Sequence, residues 1–146
     1  MHDLRVDVAT KNDIPAVMHI ASVCKLSRWS EKDLLAEIEL ERSVFLRLLD
    51  SDDDCIGFII GRVVPGMIRD WDADLYNIGI LPNSQKNGGG SLLLSAFSEK
   101  VAQLGARSIW LDVRVSNHNA IGFYTSLGFI KEGIRRNFYA DPVEDA

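Results

Sequence analysis

The sequence is poor in cysteine, with Cys24 and Cys55 the only two among 146 residues. They stand far apart, form no Cys-x-x-Cys, and make no zinc-like spacing with His2, His19 or His118. A structural metal and a disulfide framework are therefore not expected, and both thiols read as buried or partly buried. A basic surplus is also missing: 16 Lys and Arg face 21 Asp and Glu, a net charge of -5. That balance speaks against nucleic acid as a partner and suits a positively charged substrate. No apolar run approaches the roughly 20 residues of a membrane helix. The start, Met1-His2-Asp3-Leu4-Arg5, has no basic region followed by an apolar stretch, so no signal peptide is expected and the expected location is cytoplasmic. Repeats, linkers and low-complexity segments are lacking as well, which predicts one domain over residues 1–146. What is present is ordinary globular material, 47% apolar and 25% charged, enough for a core without staples.

The periodicity predicts a mixed α/β order. Leu4, Val6 and Val8 alternate with charged residues as a first strand. Thr10, Asp13 and Pro15 start a helix running to Ser22, and Ser30 caps a second with Glu31 and Asp33 in its first turn. Strands follow at 44–49 and 55–64, joined by the acidic turn Ser51–Asp54, and then at 75–81, ending at Pro82. A helix is expected from Ser91 to Gln103, a strand from Ser108 to Val113, a helix from Asn117 to Leu127 and a last strand from Phe129 to Phe138. The strand–helix alternation of the second half implies mixed pairing with helices on both faces of a sheet.

Two segments carry chemistry. In Gln85-Lys86-Asn87-Gly88-Gly89-Gly90-Ser91 a glycine-rich loop leads from a strand into a helix. Backbone N–H groups there can converge on an anion, aided by the helix N-terminus, and glycine lets phosphate touch the backbone. A plain flexible turn is the other reading. No Gly-Lys-Ser/Thr follows, so it is not a P-loop, and Leu93 stands where a dinucleotide fingerprint needs glycine. In the second segment Asp112 lies near a strand end, Asn117 opens a helix and Tyr124 sits two turns inside it. A carboxylate and a phenol so placed can converge on one cleft. A solvated strand end and a core aromatic are the plainer alternatives.

Gln85-x-x-Gly88-x-Gly90, with Asn117, Ala120-Ile121, Tyr124 and Leu127-Gly128-Phe129, resembles the GNAT acyl-CoA-dependent N-acetyltransferases. The match runs from Leu75 to Tyr139. Arg28-Trp29-Ser30-Glu31-Lys32, Asn77-Ile78, Trp110–Arg114 and Ile134–Tyr139 are similar to the bacterial RimI group of that family, which acetylates the N-terminal alanine of a ribosomal protein. The resemblance implies a GNAT fold with a mixed, mostly antiparallel central sheet. It implies acetyl-CoA as co-substrate, no metal, and a protein N-terminus as acceptor. Ile78, Gly79 and Ile80 would line the pantetheine arm, with the Ile80 N–H near the thioester oxygen. Gln85, Lys86, Asn87, Gly88, Gly89, Gly90 and Ser91 would cradle the pyrophosphate, and Asn117 would hydrogen-bond the cofactor. Tyr124 would be the general acid, and Asp112 takes the place of a glutamate general base. Asp112 is one methylene shorter than that glutamate, which leaves room for a bridging water. Gly89 replaces an apolar residue, which predicts a less preorganised loop. The chain stops at Ala146 where relatives continue, which predicts a missing last strand and an unpaired sheet edge.

The chemistry favours an α-amine. Its pKa of about 7.7–8.0 leaves roughly a tenth neutral at pH 7, whereas lysine near 10.4 demands a stronger base. Three readings compete: an N-terminal acetyltransferase, a GNAT acting on lysine or a small amine, and a silent acyl-CoA-binding module. Trp29 and Trp71 are candidates for a peptide groove or for ordinary packing. Arg135-Arg136 suits a peptide, a phosphate or solvent.

Overall fold

The computed structural model describes residues 3–26, 29–66, 70–140 and 143–146, so His2 and Arg28 lie outside the described residues. The chain divides into two compact units, Met1–Trp110 and Leu111–Ala146.

The first unit is built on a five-stranded sheet in the order β1-β2-β3-β4-β5. Its strands are β1 (Arg5–Val8), β2 (Ser43–Leu49), β3 (Cys55–Pro65), β4 (Trp71–Ile80) and β5 (Ala106–Trp110). The first three pairings are antiparallel. Among the described residues only β4 and β5 run parallel, because helix α3 (Gly89–Gln103) carries the chain back between them. The acidic turn shapes the β2–β3 hairpin: the Asp50 carboxylate accepts from the N–H groups of Asp52 (2.9 Å) and Asp54 (3.0 Å), and Asp53 takes φ 63°.

Capping starts the first two helices where the sequence places them. Thr10 donates its N–H to the Asp13 carboxylate (2.7 Å) ahead of α1 (Ile14–Val23). The Ser30 hydroxyl accepts from the Asp33 N–H (3.0 Å) at α2 (Glu31–Glu39). Strand side chains alternate between faces, so Phe45, Phe58 and Ile60 meet Ile14, Val17, Ile20 and Leu34 of α1 and α2. On the opposite face Gly61 leaves space for α3, since a Cβ there would stand 2.6 Å from the Phe97 ring. Truncating a residue as buried as Phe58 to alanine costs about 3–5 kcal/mol. Buried charges on the α1–α2 face are paired: Arg47 with Asp13 (3.1 Å), and Arg62 through its Nε with Glu37 (2.9 Å).

The second unit departs from the expectation. It contains helix α4 (His118–Ser126) and a small hairpin of β6 (Tyr139–Ala140) with β7 (Val143–Glu144). The strand expected over 129–138 does not form. Gly128 (φ 98°) and Asn137 (φ 51°) turn the backbone out of the extended region, and Ile130 and Ile134 stay exposed instead of alternating inward. The last residues of this unit are paired within it. Val143–Glu144 is itself β7, Arg135 and Ala146 exchange both backbone hydrogen bonds at 2.9 Å, and the Asn137 N–H reaches the Asp145 carboxylate at 2.8 Å.

Candidate active site

The middle of β4 holds a bulge. Ile60 pairs with Asn77 and Gly61 with Leu75, leaving Tyr76 without a counterpart on β3. Pairing with β5 covers only Trp71–Asp74. From Leu75 to Ile80, β4 is therefore paired within this sheet to β3 alone. Beyond it, the Leu81 N–H donates to the Ile56 carbonyl at 2.9 Å. Successive residues turn their backbone groups to opposite edges, so Ile80 and Ile78 direct theirs away from β3. That edge can pair with an extended, amide-bearing ligand. Gly79 lies between them, and a Cβ there would fall 2.9 Å from Leu26 and 3.1 Å from Ile20. Glycine thus keeps α1 close under the strand end.

The glycine loop follows at once. After a 3-10 turn at Pro82–Ser84, the Gln85 carboxamide reaches back to donate to the Ile80 carbonyl (2.9 Å). Lys86 (φ 68°) and Gly88 (φ 85°) are both left-handed. Around Gly88 a Cβ would meet nothing within 4 Å, so its need for glycine is conformational. In α3 the bond from the Leu92 N–H to the Gly88 carbonyl (3.1 Å) is the one that opens the helical ladder. The N–H groups of Gly89, Gly90 and Ser91 precede it and have no intrahelical acceptor. Such a helix start, entered through left-handed residues, presents N–H donors and a partial positive charge suited to an anion. At Gly89, which is buried, a Cβ would stand 2.6 Å from Leu48 and 3.3 Å from Ile80. Its lack of a side chain seats the first turn directly on the end of β4.

The second unit carries the proton-transfer candidates. Asn117 caps α4, its side-chain oxygen accepting from the Ala120 N–H (3.1 Å). Tyr124 is buried between Phe123 and Phe129, with ring centroids 5.2 and 5.5 Å away. Burial, with a smaller push from Tyr139, raises its phenol to about 12. It therefore stays protonated at neutral pH and can donate. An ordinary thiol sits near 8.5, so a phenol this weak can give a thiolate a hydrogen bond but not its proton. Asp112 lies two residues past β5 with a side chain one third exposed, in a 3.2 Å ion pair with Arg135. The Tyr139 phenol is raised by burial first and then by the Asp112 charge, and Arg114 covers its ring at 4.3 Å.

Other candidates separate. Trp29 packs on Tyr76 (6.1 Å), but Trp71 lies under Arg42 (3.7 Å) at the opposite end of β4 from Ile80, nine residues and roughly 30 Å away. Arg135 is engaged by Asp112, and His118 is exposed at the start of α4. Sequence reasoning missed the Arg135 partner, the place of Tyr139 beside Asp112, and Tyr76 at the bulge. Only Tyr139 left a signal, as the end of the Ile134–Tyr139 motif.

The acetyltransferase (GNAT) family model matches residues 14–129. The chain belongs to that family. GNAT membership makes it an acetyltransferase that uses acetyl-CoA. The [ribosomal protein bS18]-alanine N-acetyltransferase of Salmonella typhimurium is 36% identical over 143 residues, covering 97% of this chain and 92% of the relative. A putative counterpart in Bacillus subtilis is 31% identical, covering 92% and 85%. The crystal structure of the ribosomal-protein-S18-alanine N-acetyltransferase from Escherichia coli superposes with a TM-score of 0.82 at 33% identity, covering 98% of this chain and 89% of that one. Arabidopsis thaliana Naa50, solved with the bisubstrate analogue CoA-Ac-MVNAL, shares the fold at a TM-score of 0.80 and 20% identity, covering 97% and 94%.

Proposed function

We propose that this GNAT enzyme transfers the acetyl group of acetyl-CoA to the α-amine of a protein N-terminus, that of alanine on ribosomal protein S18. The single observation carrying the acetyl-CoA part is the β4 edge at Ile78–Ile80 running into the Gly88–Ser91 helix start. The acceptor is supported by the similarity, across nearly the whole chain, to relatives named for that alanine. In this reading Ile78, Gly79 and Ile80 hold the pantetheine arm, and the Ile80 N–H steadies the oxyanion of the tetrahedral intermediate. Gln85 to Ser91 hold the pyrophosphate, and Asn117 adds a cofactor contact. Asp112 takes the amine proton, directly or through a water, and Tyr124 donates to the departing thiolate. We take residues 1–146 as one catalytic domain, a reading supported by the family model's match over residues 14–129. We place the work in the cytoplasm. Among the described residues no helix is long and apolar enough to cross a membrane.

The test is thiol release from acetyl-CoA with three acceptors: a peptide starting with the S18 alanine, the same peptide N-terminally blocked, and a blocked peptide carrying lysine. Turnover with the first alone supports the reading. Turnover with the third replaces the acceptor class, and acetyl-CoA binding without any turnover replaces the enzyme by a binding module.

A further inference from the structure

The Ile80–Leu81 peptide is held at three points. The Leu81 N–H donates to the Ile56 carbonyl at 2.9 Å. The Ile80 carbonyl accepts two side-chain donors, the Gln85 carboxamide at 2.9 Å and the Cys24 thiol at 3.2 Å. A carbonyl oxygen has two lone pairs, so these donors fill its capacity. Each arrives from a different direction in the fold. Cys24 is the C-cap of α1, its own N–H bonded to the Ile20 carbonyl (2.9 Å), and Ile20 is fully buried in the core. Gln85 is the entry to the glycine loop.

We propose that Cys24 is a positioning residue for acyl transfer: with Gln85 it clamps the Ile80 carbonyl and thereby fixes the direction of the Ile80 N–H. The inference rests on the reading of that N–H as the oxyanion donor. Within a strand the N–H and C=O of one residue project to the same edge, so restraining the carbonyl restrains the N–H beside it. An oxyanion donor acts through preorganisation, because its geometry must already suit the transition state. The end of β4 needs such a restraint, since it is paired on one side only and follows a bulge. The thiol suits the role. Burial raises its pKa, so it remains an S–H donor at neutral pH. Gln85, held by the same oxygen, ties the first residue of the pyrophosphate loop to the position of the reacting carbonyl. The clamp therefore sets the spacing between the two ends of the ligand.

The experiment compares Cys24→Ala and Cys24→Ser in the full chain with an Ala-starting peptide. Loss of the donor is expected to lower kcat about three- to tenfold, the range of one modest hydrogen bond. KM for acetyl-CoA and the affinity for CoA should stay within about twofold, because the phosphate cradle is untouched. Serine keeps a donor and should return kcat to within about twofold of wild type. An alanine variant with unchanged kcat, or a serine variant as slow as alanine, overturns the clamp. So does a loss confined to KM. The underlying reading is tested separately on wild type by the amide NMR signals with a stable ketone analogue of acetyl-CoA. The Ile80 amide should shift on binding more than with CoA alone. An unmoved Ile80 signal removes the oxyanion assignment and the proposal with it. A moved signal together with wild-type kcat in Cys24→Ala removes only the clamp.

Discussion

The two units place their candidate groups by different means. In the first, the groups are backbone N–H and C=O, aimed by strand register, a bulge and a helix start: Ile78, Ile80 and the Gly89–Ser91 turn. In the second, the groups are side chains, Asp112 and Tyr124, carried on a loop and a nine-residue helix. Backbone groups in a sheet are held by many neighbours at once. The 112–116 loop depends on a few ties to the last residues: Ser116 N–H and Arg114 to the Glu144 carboxylate, and Val115 N–H to the Asp145 carbonyl. Side-chain substitutions in the second unit should therefore change rate. In the first, the effective substitutions are those that alter the conformation of these backbone groups or remove a side chain that holds one of them, as Cys24 holds the Ile80 carbonyl.

The largest effect is expected at Tyr124. Tyr124→Phe keeps the packing against Phe123 and Phe129 and removes only the hydroxyl. Loss of one fixed donor to charge that develops in the transition state costs about 10²–10³-fold, and a phenol raised to about 12 acts as such a donor. The reading is kcat on one Ala-starting peptide with CoA affinity as control. Near-normal kcat would reduce Tyr124 to a packing residue and break the contrast between the units.

Next comes Gly88→Val, the backbone counterpart. Open space surrounds the position, so the cost is left-handed strain at φ 85° of about 1–3 kcal/mol. Relief of that strain turns the loop away from its binding geometry. CoA affinity should fall about 5- to 100-fold by calorimetry, with thermal stability only slightly lower. Unchanged affinity would take the pyrophosphate off this loop.

A smaller, pH-dependent effect is expected at Asp112. If a water relays the proton, Asp112→Asn should slow the reaction about tenfold below pH 7, where most α-amine is protonated. The deficit should shrink as pH passes the amine's own pKa of about 7.7–8.0. Asp112→Glu should restore or raise the rate where reach is limiting. A pH–rate profile of the three forms decides, and an Asn profile identical to wild type moves the base elsewhere, with Asp74 next to be tested.

The difference between the units also explains what could be read from the sequence. The first unit announces itself through alternation, caps and turns: Thr10 and Ser30 start helices where expected, and Asp50–Asp54 turns the hairpin. Its bulge at Tyr76 leaves no mark, because a bulge is a relation between two strands and not a pattern in one. Gly88 was legible as glycine in a loop, while the Cys24–Ile80 contact joins residues 56 apart and has no local signature. In the second unit the start of α4 at Asn117, with Tyr124 inside the helix, was legible through the motif. The 129–138 strand was misread because Ile130, Ile134 and Phe138 suggest a period that Gly128, Gly133 and Asn137 interrupt. The pairing of Arg135 with Asp112 depends on that irregular path.

The smallest expected effect tests the ties of the second unit. The Glu144 carboxylate accepts from the Ser116 N–H (2.8 Å) and pairs with Arg114 (3.2 Å). The Ser116 hydrogen bonding, more than Arg114, holds its pKa below the ordinary 4.5. A lowered pKa means that the folded unit binds fewer protons than the unfolded chain between the two values. The tie is complete above about pH 4.5, and it is lost as pH falls through the depressed value. Glu144→Gln keeps an acceptor but removes the charge. At neutral pH it should lower kcat about two- to threefold, the effect of weakening one charge-assisted hydrogen bond under Asp112's loop. The Ser116 amide signal in wild type should hold its position from pH 7 to 5 and move only on further acidification. In Glu144→Gln that movement should vanish. A Ser116 signal that titrates identically in both proteins would show that the loop is held by something other than the chain end.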